Sequence, residues 1–459
     1  MYKPYTLPVI SASPDAKTAM PKISRFAVFI ISILVKPYFM FLFGHAKVVA
    51  HNKEILFDVF KRALSSKSRC IIAFRHPDGR EPQLLGWFFL YKFRALAAKS
   101  KIKFNIKPHA IFVYGYEVAR WGGWVTRLVM PKIGAIPIHH TKMDSKGMTR
   151  IYSAITEGPY PLVMAPEGQV SYSTDTVPRL EPGLIRIGFQ AVDQLSKKAA
   201  AGETKDCPLE ILPLSIHFRY GKRGKFSMFK LLSKVEKLCC TGKSRNSQRK
   251  LPLEERLKFC RDHILEINEK RYNIKYNEMP SFETRLDNVI NAALDTSEKM
   301  LGIKSEGDFF TRLYKIRHDC WDRIFLPGIE NLDKVSQVKR SVMDLKAGEA
   351  WHIARHQELA DFGWYFRRPL PAEDSPFHNK LEYVQNLWDF ANRTMGGAIT
   401  GRVNIHPGKI IIKAAPVIDL SARLPLYKQD RKGTAANTTA DLEKAFLDCI
   451  EQVNKDEPD

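Results

Sequence analysis

The sequence predicts an α/β fold, a mostly parallel sheet covered by helices, with an N-terminal membrane-associating helix and a large helical insertion. Three observations predict it. Short apolar runs alternate with helix-like stretches from about residue 52 to residue 219, the pattern of strands joined by helical crossovers. A strongly apolar segment, Ile23 to Phe43, precedes them. After residue 225 strand-like character nearly disappears and charges become frequent, until "KIIIKAAPVIDL" at 409–420.

In chain order, residues 1–22 are polar and contain proline. "ISRFAVFIISILVKPYFMFLF" follows, its uninterrupted apolar part running from Phe26 to Val35 before Lys36-Pro37. Ten helical residues rise about 15 Å, half of a bilayer core, so the stretch predicts an amphipathic or re-entrant anchor and not a simple span. Arg25 and Lys36 would then lie at lipid headgroups. The run begins late for a signal peptide, and no small-x-small cleavage site follows. Residues 1–45 are therefore read as tail and anchor.

The core, 46–225, opens with helix-like "NKEILFDVFKRALSS" and strand-like "CIIAF". The apolar segment 82–98, strand-like "AIFVY", helical "YEVARWGGWVTRLV" and strand-like "GAIPI" come next. Helical "KGMTRIYSAITEG", strand-like "PLVMAPEG", the segment 183–199 and "LEILPLSIHF" complete it. Residues 226–400 read as a helical insertion, entered through the basic linker "TGKSRNSQRK". Residues 401–459 bring a strand and a last helix, 440–454, back to the core.

The chain carries 72 Lys+Arg against 49 Asp+Glu, a formal net charge of +23. That sign suits a polyanionic surface, either anionic lipid or nucleic acid. No nucleic-acid-binding motif is recognisable, so lipid is the expected partner and nucleic acid is not. The basic clusters at 219–225 and 243–250 would suit anionic headgroups. Seven cysteines, an odd number without C-x-x-C spacing, argue against a disulfide framework or a zinc site and fit a reducing compartment. His352 and His356 share a helix face but lack the His-Glu-x-x-His pattern and a third ligand, so they read as a solvated face and no metal is expected.

Chemistry concentrates in "CIIAFRHPDGREPQ". His76 stands where a buried strand opens into a turn, with Glu81 five residues later. On one straight helix the two side chains would point about 140° apart. Pro77-Asp78-Gly79 supplies a turn, and Pro82 suits the first turn of the next helix. Glu81 can then reach back to one ring nitrogen, fix the tautomer and leave the other nitrogen as a general base. Asp78 is nearer in sequence and carries the same chemistry, so two carboxylates compete for the imidazole. No Ser or Cys nucleophile is close in sequence, which favours direct proton abstraction from a substrate hydroxyl. Ligands of such sheets bind where strands end, where both His76 and Glu167 fall.

The ordered set His76-x4-Glu81, "GAIPIHH" (134–140), "APEG" (165–168) and "ILPLSI" (211–216) resembles the glycerolipid acyltransferase family, which includes the 1-acylglycerol-3-phosphate acyltransferases. The resemblance covers roughly residues 45–220, and "LEPGLIRIGFQA" is similar to the helix that follows the family's glutamate motif. It implies acyl transfer from a thioester, acyl-CoA or acyl-carrier protein, to a hydroxyl of a lysophospholipid or glycerol phosphate, with no other cofactor. It further implies a membrane-associated enzyme of phospholipid biosynthesis or remodelling, its site on the cytoplasmic side. His76 would be the base and Glu81 its orienting partner. Glu167 would bind the acceptor or brace the loop, Gly168 would permit close backbone approach, and N–H groups of that turn would help hold the oxyanion.

The departures from the family pattern matter. Glu81 replaces the usual Asp. The second element ends in His139-His140 in place of Arg, and Thr-Arg does not follow the glutamate motif. Both usual phosphate-binding arginines are thus missing, leaving His140, Lys142, Arg179 or Arg186 as candidate substrate ligands, or an acceptor with a different head group. The alternative reading is a catalytically inactive lipid-binding protein on the same fold.

Overall fold

A computed structural model of the chain describes residues 10–14, 19–116, 118, 122–139, 144–203, 207–239, 250–397 and 401–459. It comprises two units. One, the sheet unit, contains residues 19–221 and 406–459; the other, the helical unit, contains 222–405 with residues 10–14.

The sheet unit begins with α1 (Arg25–Phe43), one unbroken helix that runs through Pro37. The Ser24 hydroxyl caps its first turn and Gly44, at φ +62°, ends it. The sequence reading counted only the ten apolar residues before Lys36-Pro37; the helix continues through them. Pro37 lacks an N–H and normally costs a helix interior about 3 kcal/mol. Val35, Phe39 and Phe43 flank it and are buried, which holds both halves on one axis. Nineteen residues rise about 28 Å, close to a bilayer core, and α1 is long and apolar enough to cross a membrane by length and composition.

Next come β1 (Lys47–His51), α2 (Lys53–Leu64), β2 (Arg69–Phe74), α3 (Glu81–Trp87), a π-turn (Phe88–Lys92) and α4 (Phe93–Lys99). They are followed by β3 (Ile111–Gly115), α5 (Gly123–Lys132), β4 (Ile136–Ile138), α6 (Ser145–Thr156), β5 (Leu162–Met164), α7 (Gly183–Ala200) and β6 (Leu209–Arg219). The chain then forms the helical unit and returns as β7 (Lys409–Ala414) and β8 (Ile418–Asp419), with two closing helices.

The strand order is β1-β7-β6-β2-β5-β3-β4, with β8 against β6 off this path. All neighbours are parallel except β6 with β7 and β6 with β8. The central strands are buried on both faces, as their runs of Ile, Leu and Phe require. Ile71, Ile211, Leu184, Phe189 and Phe446 meet in one core. Pro213 lies in β6, a central strand, where a missing N–H is normally disruptive. On that edge β6 pairs with β8 through Glu210 and Ile211 and with β7 from Leu214 onward. Pro213 falls in the gap between the two pairings.

The helical unit contains α8 (Lys222–Cys239), α9 (Leu253–Arg271), α10 (Phe282–Leu301), α11 (Phe309–Ile324), α12 (Gln337–Tyr365) and α13 (Phe377–Thr394). Side chains of Ser281, Asp308 and Ser336 cap α10, α11 and α12, satisfying orphan N–H groups. A two-pronged ion pair joins Arg285 to Glu269 at 2.7 and 2.8 Å. Ser13–Pro14 pair in parallel with Phe325–Leu326, so the first 45 residues divide between the two units.

Candidate functional site

The sheet register assembles the site. β2 and β5 are parallel neighbours with Ala73 opposite Met164. Three residues beyond these partners come His76 and Glu167, so the same edge receives both. Arg75 continues the β2–β6 pairing through its N–H to Leu214 O, 3.0 Å. Its guanidinium is fully buried and spends its donors on the loop after β5: Nε on Glu167 Oε1 (2.8 Å), Nη1 on Thr174 O (3.0 Å), and Nη2 on Ser173 O (2.9 Å) and Thr176 O (2.8 Å).

Glu167 Oε1 also accepts the His76 N–H at 3.1 Å. The Glu167 side chain has no exposure. Of the two roles expected for it, bracing the loop is the one this geometry supports. The Ser171 N–H returns to His76 O at 2.9 Å, closing the loop over the strand end. Gly168 sits at φ +70°, a left-handed conformation that residues with a Cβ adopt only under strain.

His76 then enters its turn. Gly79, at φ +101°, lets the chain reverse so that Glu81 starts α3. Glu81 is the residue paired with His76: Nδ1 and Oε2 are 2.6 Å apart. Oε2 also accepts the Gly79 N–H at 2.8 Å and Oε1 the Asp78 N–H at 2.7 Å. A carboxylate already accepting two N–H groups acts as an acceptor, so Nδ1 carries the ring proton and Nε2 keeps its lone pair. The Glu81 side chain is fully buried while His76 is 15% exposed. Among the described residues Nε2 has no hydrogen-bond partner.

Burial alone would push the His76 pKa down. The hydrogen bond and charge of Glu81, with the charges of Glu167 and Asp78, outweigh it and leave the pKa above the ordinary histidine value. Asp78, the rival carboxylate, is held by Arg80, Nε to Oδ1 at 2.5 Å and Nη2 to Oδ2 at 2.9 Å.

His140 and Lys142 lie outside the described residues. Arg179 is exposed on the segment between β5 and α7, and Arg186 is exposed on the first turn of α7. His139 stacks on Tyr116 at 4.1 Å, and its N–H is accepted by Asp144 at 3.1 Å. His356 is bonded through Nδ1 to the Tyr272 hydroxyl at 2.8 Å. Among the described residues no group of three or more His, Cys, Asp or Glu is arranged to hold a metal ion.

The sequence reading missed Arg75 and Arg80. The available signal for Arg75 was an arginine ending an apolar strand, since a buried guanidinium requires acceptors. For Arg80 it was the spacing to Asp78 within a tight turn.

No protein-family model matches this chain, and no curated protein shows significant similarity to it. What fold and site define is an α/β protein with a mostly parallel sheet, one apolar N-terminal helix and a carboxylate-oriented histidine at the sheet edge.

Proposed function

We propose that this protein is a membrane-associated O-acyltransferase of the glycerolipid kind. It would move a fatty acyl group from acyl-CoA or acyl-carrier protein to a hydroxyl of a lysophospholipid or glycerol phosphate. The observation that carries the reading is the His76–Glu81 pair, with Nδ1 held at 2.6 Å by a fully buried carboxylate and Nε2 without a hydrogen-bond partner among the described residues. Support comes from the placement of the glutamate motif beside it, through Arg75 and the His76 N–H.

In the proposed reaction Nε2 takes the proton as the acceptor oxygen attacks the thioester carbonyl carbon. Glu81 stabilises the resulting imidazolium. The oxyanion collapses, the C–S bond breaks, and the leaving thiolate takes the proton back from Nε2. Loss of a positioned general base typically removes 10²–10⁴-fold in rate. The exposed apolar side of α1 supports a site at a membrane surface, and free buried thiols such as Cys70 and Cys260 fit the reducing, cytoplasmic side proposed for it.

The test is acyl transfer by purified protein in lipid micelles, with labelled acyl-CoA and acyl-carrier protein against a panel of lysolipids and glycerol phosphate. His76→Ala and Glu81→Gln should abolish most of the activity. Wild-type activity indifferent to His76→Ala would sink the mechanism. Vesicle binding without transfer to any acceptor would favour the inactive lipid-binding protein.

A further inference from the structure

Arg80 links two parts of the sheet unit that the sequence keeps far apart. Two of its nitrogens hold both oxygens of Asp78 at 2.5 and 2.9 Å. The third, Nη1, donates to Leu42 O in the last turn of α1 at 2.8 Å. The guanidinium also lies over the Phe43 ring, 4.8 Å from its centroid, a favourable cation–π placement.

On the other side of this link, Asp78 offers its N–H to Glu81 Oε1 at 2.7 Å, and Glu81 holds His76 at 2.6 Å. A continuous path therefore runs from Leu42 O through Arg80, Asp78 and Glu81 to the imidazole. Arg80 and Asp78 are each only 6% exposed, so solvent does not readily replace a broken contact.

α1 is seated by its inner side alone. Phe39 stacks on Trp87 of α3 at 4.0 Å and Phe43 lies against Phe218 at 6.4 Å. Its outer side presents Phe26, Phe29, Ile33, Leu34 and Phe41, all more than half exposed.

We propose that Arg80 is a positioning residue that makes the seating of α1 a condition for the working geometry of the His76 turn. Lipid that covers the outer side of α1 and steadies it would thereby raise turnover as well as retain the protein at the surface. The consequence for rate rests on the acyltransferase reading; the consequence for His76 itself does not.

The test uses the full-length protein on vesicles of equal parts phosphatidylcholine and phosphatidylglycerol. It compares wild type, Arg80→Gln, Arg80→Lys, Phe39→Ala and the double variant Phe39→Ala/Arg80→Gln. Two quantities are read: kcat and KM for acyl transfer, and the rate at which diethyl pyrocarbonate modifies His76, located by mass spectrometry. A lysine keeps a charge beside Asp78 but has no fork to reach Leu42 O as well.

Arg80→Lys should therefore lower kcat by tenfold or more with little change in KM, and speed His76 modification several-fold, in protein with wild-type helix content and vesicle binding. Phe39→Ala should do the same in milder form. The double variant should be no worse than Arg80→Gln alone, because both changes break one path. Wild-type kcat and wild-type His76 reactivity in Arg80→Lys would overturn the proposal, as would losses that multiply in the double variant. If wild type transfers no acyl group while His76 reactivity still follows Arg80, the link stands and the acyltransferase reading falls.

Discussion

At the scale of single residues, the proposed reaction turns on the His76 proton. Its pKa is raised because Glu81 outweighs burial, and a general base must be neutral to act. The acid limb of the kcat/KM profile should lie above about pH 6.5, the ordinary value. Glu81→Gln should move that limb toward lower pH while cutting kcat, and an unmoved limb would assign it to another group. The same shift has a stability consequence with a definite sign. A raised folded-state pKa stabilises fully below the unfolded value near 6.5 and is lost as pH rises through the folded one. His76→Asn should therefore lower the melting temperature more at about pH 6 than at about pH 9. Arg75 makes a second case, because Arg75→Ala would strand the Glu167 carboxylate and remove the donor from three loop carbonyls. Breaking a buried pair from one side costs about 3–5 kcal/mol, to be read as a lower urea midpoint. Much of this site was legible from residue types and order: His76, Glu81 and Glu167 all fall at one edge. The choice of Glu81 over Asp78 was not, because it depends on Gly79 reversing the chain and Arg80 occupying Asp78. The role of Arg75 was hidden too, since its four acceptors lie about a hundred positions away.

At the scale of elements, local period and turn chemistry placed β2 to β6 well, because each is a short apolar run between polar turns, but missed β1 (Lys47–His51), which lies ahead of the alternating pattern. Two prolines mark where local rules were insufficient. Lys36-Pro37 reads as the end of the uninterrupted apolar run, yet α1 continues because its flanking side chains are buried on α3 and the sheet. Pro213 is tolerated in a central strand only because β6 changes partners at that point, a non-local fact. The start of α1 is also fixed non-locally, by Lys22 N–H to Pro131 O at 2.9 Å and Ser24 N–H to Lys132 O at 2.8 Å at the end of α5. α5 exposes Trp124 and Leu128 one turn apart, 70% and 49% open, and neither α1 nor α5 contains Asp or Glu. An apolar, acid-free surface of this kind suits an anionic membrane interface. If α1 is the membrane-contacting element, Phe26→Ser with Phe41→Ser should weaken binding to vesicles more than tenfold. Each fully buried Phe is worth about 1.5–3 kcal/mol. Both side chains point outward, 74% and 77% exposed, so the melting temperature should stay nearly constant. Unchanged co-sedimentation with vesicles would remove α1 from the interface.

At the scale of the whole molecule, the change of texture after residue 225 was visible in the sequence, and the helical unit occupies 222–405. Its inclusion of residues 10–14 was not visible, because a two-residue parallel pairing with Phe325–Leu326 leaves no periodic trace. Net charge is the property that belongs to the chain entire. At +23, with Arg25, Lys36, Arg127 and Lys132 exposed on α1 and α5, attraction to an anionic surface should add to apolar insertion. The two contributions separate by salt. The Debye length shrinks from about 10 Å at 0.1 M to about 3 Å at 1 M, and each basic residue near an anionic surface contributes about 1 kcal/mol at low salt. Binding to phosphatidylglycerol vesicles should therefore fall steeply across that range and level off at a residual set by α1. Binding to neutral phosphatidylcholine vesicles should start near that residual and change little. A double variant in Phe26 and Phe41 should lose the plateau while keeping the salt-sensitive part. Parallel curves on the two lipids would show that the charge has no part in membrane engagement. Displacement from anionic vesicles by RNA with no preference for lipid would instead direct the basic surface to nucleic acid.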